Sequence, residues 1–118
     1  KKIPTIALVR GFCFGGALEL ALSCRYIVAI DEETTSFSLP EVKLGIYPGW
    51  GGIKRLPQKI GPINAMNMML SGSLINARKA YRKTIYIAAR SRRHLRACRP
   101  SGPWTAFVGR LARFFVVL

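Results

Sequence analysis

Ile3-Pro4-Thr5-Ile6-Ala7-Leu8-Val9 runs into Arg10-Gly11-Phe12-Cys13-Phe14-Gly15-Gly16, and then into Ala17-Leu18-Glu19-Leu20-Ala21-Leu22-Ser23-Cys24. These three consecutive pieces decide how the chain folds. The first is short, apolar and bounded by charge and glycine, so it predicts a buried strand with Pro4 near its start. The glycines at 11, 15 and 16 predict a turn, because they follow backbone paths other residues resist. The third piece is rich in Ala and Leu and predicts a helix beginning near Gly16. Tyr26-Ile27-Val28-Ala29-Ile30 is short and β-branched, a second buried strand. Strand, glycine turn, helix and strand make a βαβ unit of an α/β fold, expected to cross over right-handed.

Outward from that unit, Asp31-Glu32-Glu33-Thr34-Thr35 reads as a polar connection, and Phe37 to Leu39 as a brief strand before Pro40. Pro48-Gly49-Trp50-Gly51-Gly52 predicts a turn. Ile53 to Ile60 fits a short helix interrupted or kinked at Pro57. Gly61-Pro62 resets the chain. Ile63 to Leu70 follows as a helix with Met66, Met69 and Leu70 on one face and Gly72 just past its end. Ala77 to Arg82 starts another.

The whole chain has 118 residues, room for one domain. Half of them are apolar and 10% aromatic, which excludes a wholly disordered chain. Nineteen Lys and Arg against five Asp and Glu give a net charge of +14, unevenly spread. Residues 1–72 hold eight basic groups and all five acids, whereas 73–118 hold eleven basic groups and no acid. The charge therefore belongs to the tail, and the sequence divides into a folded part, 1–82, and a divergent basic tail, 83–118. That tail is expected to be out of frame or disordered.

The tail does not make a convincing functional module. Arg78 to Arg99 carries no known nucleic-acid-binding motif, and aromatics are not interleaved with its arginines, so nucleic acid is not an expected partner. Phe107 to Leu118, with Arg110 and Arg113, is short for an amphipathic membrane anchor. No apolar run reaches the length of a membrane span. Cys13, Cys24 and Cys98 are an odd set without CxxC spacing, which argues against a disulfide scaffold or a zinc module and points to a reducing, cytoplasmic setting. No metal site is expected. The start, Lys1-Lys2-Ile3-Pro4, has neither an initiator Met nor a signal-peptide pattern, so the chain reads as the middle of something longer.

Two places could carry chemistry. At Gly15-Gly16-Ala17-Leu18-Glu19, a helix N-terminus offers unpaired N–H groups, and the small residues let a substrate oxygen approach them. An anionic oxygen forming there would be stabilised by about 2.7–4 kcal/mol per donor. Glu19 lies in the first turn, where a carboxylate can face the same cavity. Glu41, in Ser38-Leu39-Pro40-Glu41-Val42-Lys43-Leu44-Gly45, follows the second strand, and a return through helix and strand can bring it back to that turn. Two carboxylates on one cavity can divide the proton transfers of a water molecule, worth roughly 10²–10⁴-fold. The residues alone leave plainer readings open: a glycine turn with an acid favoured by the helix dipole, and Glu41 paired with Lys43 or Arg55 on a solvated face. His94, the sole histidine, has no candidate triad partner, and Gly11 to Gly16 is not the GxGxxG dinucleotide fingerprint.

Taken together, residues 3–24, Leu39 to Gly52, Arg55-Leu56-Pro57 and Gly61-Pro62 through Gly72 resemble the enoyl-CoA hydratase/isomerase (crotonase) superfamily, in family order over about residues 3–82. The resemblance implies a partial crotonase-like ββα fold with the Arg-rich tail appended. It makes Gly16 one oxyanion-hole donor for a CoA thioester, and Glu19 and Glu41 the catalytic acids. It also places Gly15, Pro48, Gly49, Trp50 and Gly51 at the substrate. Members with only the second acid tend to isomerise; keeping both is similar to the hydratases, and above all to the hydratase part of multifunctional fatty-acid oxidation proteins. The implied substrate is an acyl-CoA thioester, with no separate cofactor. A homo-oligomer or a fatty-acid oxidation complex is the implied assembly. The family's second oxyanion donor would precede Lys1, so the resemblance further implies a fragment of low activity. Ala17 stands where many members have glycine, and Arg25 where Asp is frequent.

Overall fold

A computed structural model describes residues 4–82 and 115–117. The backbone shuttles between two small sheets. β1 (Ile6–Val9) enters the first, and β2 (Phe12–Phe14) the second. After α1 (Gly16–Ser23), β3 (Tyr26–Ala29) returns to the first sheet, and β4 (Ser36–Ser38) then joins the second. β1 and β3 run parallel with Ala7 opposite Ile27 and Val9 opposite Ala29, and all four of those side chains are buried. Burial on one face fixes the register, since a slip of one residue would turn the whole set towards water. β2 and β4 are also parallel, Cys13 opposite Phe37, both fully buried. The expected βαβ unit is therefore present, with a second strand inserted after the first and before the helix.

That second strand was hidden in the sequence. Phe12-Cys13-Phe14 lies between glycines and reads locally as turn, but its partner, Ser36 to Ser38, comes from far along the chain. β5 (Ile75–Asn76), likewise unforeseen, closes the sheet antiparallel on β4. α1 buries Leu18, Ala21 and Leu22 into the common core with Val9, Cys13, Ile27, Phe37 and Leu39.

A 3-10 helix, Pro40–Leu44, follows β4, and α2 (Gly52–Ile60) and α3 (Pro62–Ser71) pack on each other beyond it. α2 continues through Pro57 rather than being interrupted there. The carbonyl that Pro57 leaves without a donor belongs to Ile53, on the exposed side of the helix where water can reach it. In α3 the buried residues are Ala65 and Met68, while Ile63, Met66 and Leu70 are exposed. Met66 and Leu70 thus point outward while Met69 packs against the core, so the face expected to carry all three is divided. Asn64, Asn67 and Ser71 form only a narrow polar stripe on α3, and periodicity does not say which part of the wide apolar remainder meets α2. Gly72 ends α3 in the left-handed conformation as expected, its carbonyl accepting from Ser38 Oγ at 3.2 Å.

α4 (Ala77–Arg82) completes the segment, and β6 (Phe115–Val117) pairs parallel with β1. His94, Cys98 and the rest of residues 83–114, Arg110 and Arg113 among them, lie outside the described residues. Among the described residues no helix is long and apolar enough to cross a membrane.

Candidate active site

Parallel pairing of β2 with β4 does the long-range work. It sets Phe14 opposite Ser38, and the ladder extends by one rung as Gly15 N–H donates to the Ser38 carbonyl at 3.0 Å. The chain leaving β4 passes through buried Leu39 and turns at Pro40, the first residue of the 3-10 helix, where a fixed φ suits the geometry. Glu41 comes next and is 8% exposed. Its Oε1 lies 3.2 Å from the position a Cβ on Gly15 would take, and Gly15 has φ +53°. Glycine is required at 15 twice over, for its backbone and for the carboxylate beside it.

Glu41 Oε2 is buried with no hydrogen-bond partner among the described residues. The solvated-face alternative for Glu41 is therefore overturned. Lys43 is exposed with its stem against Gly72, and Arg55 donates to the Trp50 carbonyl. A buried polar oxygen without a donor costs stability and calls for an explanation.

Glu19 is held very differently. It is 3% exposed, and its Oε1 accepts from Trp50 N–H at 2.8 Å and from Gly52 N–H at 2.7 Å. Gly52 is the first residue of α2, whose own N-cap, Gly51, has no side chain to offer. The carboxylate of α1 thus caps α2 from outside, setting negative charge on a helix N-terminus where the aligned dipoles favour it. The fit is close: a Cβ on Gly52 would fall 2.9 Å from Glu19 Oε1 and 3.0 Å from Pro48 Cβ.

Gly16 opens α1, so its N–H has no acceptor within the helix. The exposed Trp50 ring lies over it, with Cζ3 3.3 Å from where a Gly16 Cβ would stand. A cavity of about 340 Å³ opens here, lined by Gly16, Ala17, Glu19, Leu20, Ser23, Trp50 and Arg55. The structure therefore gathers Gly16, Glu19 and Trp50 at one cavity and sets Glu41 against Gly15, the residue next to Gly16. Of the remaining turn residues, Pro48 packs beneath Gly52, Gly49 is exposed, and Gly51 carries the Arg55 guanidinium.

Ala17, Leu20, Ser23 and Arg55 were missed as lining residues. The first three share a face of α1 with Gly16 and Glu19, a helical spacing that could have found them. Arg55 had no such signal. Among the described residues no group of three or more His, Cys, Asp or Glu could hold a metal ion. Cys13 and Cys24 are free and buried, and burial pushes the Cys13 thiol up to about 11, leaving it protonated and a poor nucleophile at neutral pH.

Comparison with known proteins gives this arrangement its context. The enoyl-CoA hydratase/isomerase family model matches residues 1–97. The fatty acid oxidation complex subunit alpha of a Shewanella species is 47% identical over 79 residues, 67% of this chain and 11% of that protein. The subunit of the same name from Vibrio cholerae is 48% identical over 77 residues, 65% of this chain and again 11% of its own. This chain thus spans about a tenth of the length of the curated relatives it matches. Among solved structures, enoyl-CoA hydratase subunit I of Geobacillus kaustophilus superposes with a TM-score of 0.74 at 38% identity, covering 92% of this chain and 40% of that one. Enoyl-CoA hydratase EchA1 of Mycobacterium marinum gives 0.73 at 33% identity with the same coverage. The interleaved sheets are accordingly part of a crotonase fold, and the chain belongs to the enoyl-CoA hydratase/isomerase family.

Proposed function

We propose that this chain carries the catalytic segment of an enoyl-CoA hydratase, which adds water to a trans-2-enoyl-CoA to give the 3-hydroxyacyl-CoA of fatty-acid β-oxidation. Supporting the reading above all is the contrast at the glycine turn. A buried Glu41 carboxylate, whose Oε2 has no partner among the described residues, stands with its Oε1 beside Gly15, while Glu19 enters the adjoining cavity already fixed by two amides.

The thioester carbonyl would accept from Gly16 N–H, which stabilises the enolate oxygen as negative charge moves onto it. A water held between Glu19 and Glu41 would attack C3. Its oxygen bonds to C3, one carboxylate takes its proton, and a proton is delivered to C2 as the enolate collapses, so the sum is addition of one water. Trp50, over Gly16, would form a wall of the acyl site. The chemistry calls for no cofactor, since coenzyme A arrives as part of the substrate. The free thiols of Cys13 and Cys24 suit a reducing compartment such as the cytoplasm. Assembly as a homo-oligomer or within a fatty-acid oxidation complex belongs to the same reading.

Hydration of crotonyl-CoA, followed by loss of the conjugated enoyl absorbance, tests it. Glu19→Gln and Glu41→Gln are each expected to lower the rate by roughly 10²–10⁴-fold, the usual worth of a positioned acid or base. Turnover indifferent to both substitutions would refute the assigned roles.

A further inference from the structure

We infer that Arg55 is a positioning residue for Glu19, acting through the backbone of the Pro48–Gly52 turn; this rests on the hydratase reading only where activity is concerned. Arg55 sits one turn into α2 and folds back over the start of its own helix. Nη1 donates to the Trp50 carbonyl at 2.6 Å, and the Arg55 amide donates to the Gly51 carbonyl at 2.9 Å. The peptide units on either side of Gly51 are thereby gripped from behind. Trp50 N–H and Gly52 N–H, on the peptide units before and after the Trp50–Gly51 unit, both point at Glu19 Oε1. The guanidinium holds the Trp50–Gly51 unit, which joins the peptide carrying Trp50 N–H to the one carrying Gly52 N–H, and so anchors the link that sets the two donors relative to each other.

Gly51 shows how closely the parts are fitted. Its φ of +101° is a conformation side chains resist, and a Cβ there would lie 2.5 Å from Arg55 Nη1. The glycine leaves the space that the guanidinium fills. A rigid planar fork suits this task better than a flexible ammonium, because its donors are already oriented. Arg55 also lines the cavity beside Glu19, and no carboxylate among the described residues pairs with it.

Amide hydrogen exchange, read by NMR on the full chain, tests the inference without requiring turnover. In Arg55→Ala the Trp50 and Gly52 amides are expected to exchange about tenfold faster, the worth of roughly one net hydrogen bond, while β1 and β3 amides keep their rates. Arg55→Lys, which retains the stem and one donor, should fall between. Lys54→Ala, on an exposed neighbour, should change neither amide. Where crotonyl-CoA hydration is measurable, Arg55→Ala should lower kcat about tenfold with KM little changed, as expected when an oriented group is loosened. Unchanged exchange at Trp50 and Gly52 in Arg55→Ala overturns the inference. Should that variant lose protection throughout the sheets, Arg55→Lys decides: an intact sheet with unaltered Trp50 and Gly52 exchange is equally fatal. If these amides respond but hydration ignores Glu19→Gln, the hydratase reading fails and the positioning role stands.

Discussion

The two regions that carry buried acids use the same residue type in opposite ways. Glu19 stands in the first turn of an α-helix and receives two amide donors on one oxygen, both from a turn far along the chain. Glu41 stands on a 3-10 helix after a buried strand, is nearly as well hidden, and has an oxygen to which nothing among the described residues donates. The first arrangement stabilises the fold, because a carboxylate on a helix N-terminus satisfies groups that otherwise need water. The second destabilises it. An uncompensated carboxylate beside a glycine turn gives up stability at that spot.

Substitutions can separate these two roles. The largest effect on stability is expected at Glu19→Ala, which strands Trp50 N–H and Gly52 N–H together. The urea midpoint should fall by the equivalent of about 2–5 kcal/mol. Glu41→Met, similar in volume and without charge, should leave stability unchanged or raise it by about 1 kcal/mol while abolishing hydration. A marked loss of stability in Glu41→Met would mean that its free oxygen has a stabilising partner, and the contrast would disappear.

The smallest effect concerns Cys13, on the strand that leads into Gly15. Its thiol is raised from 9.0 to about 11 by burial, so the folded state holds a proton that the unfolded chain releases. Stability from this group is fully present below about pH 9 and declines as pH rises towards 11. Urea midpoints across that window should drop less in Cys13→Ala than in the parent.

The sequence was legible where local pattern and burial agree. Ile6–Val9, Gly16–Ser23 and Tyr26–Ala29 fall where apolar runs and helix propensity put them. β2 was not, because three residues between glycines carry no periodicity and are stabilised by a distant strand. Met66 and Leu70 face outward for the complementary reason: a helix with only a narrow polar stripe gives little direction. At the site, the letters Glu19 and Glu41 could be singled out, whereas the groups that fix Glu19 are main-chain amides, which no residue name reports. Arg55 was invisible until the turn it grips had a shape.

Interleaving of the strands has a kinetic consequence. β1 and β2 are neighbours in sequence but await different partners, β3 and β4, so each sheet's first rung encloses part of the other's path. Each loop must be closed before its own sheet is rewarded, which slows the search. During synthesis, Phe12 and Phe14 leave the ribosome well before Ser36 to Ser38 can meet them. Until then the backbone groups of Phe12 to Phe14 lack their ladder partners and present an edge that another chain could pair with.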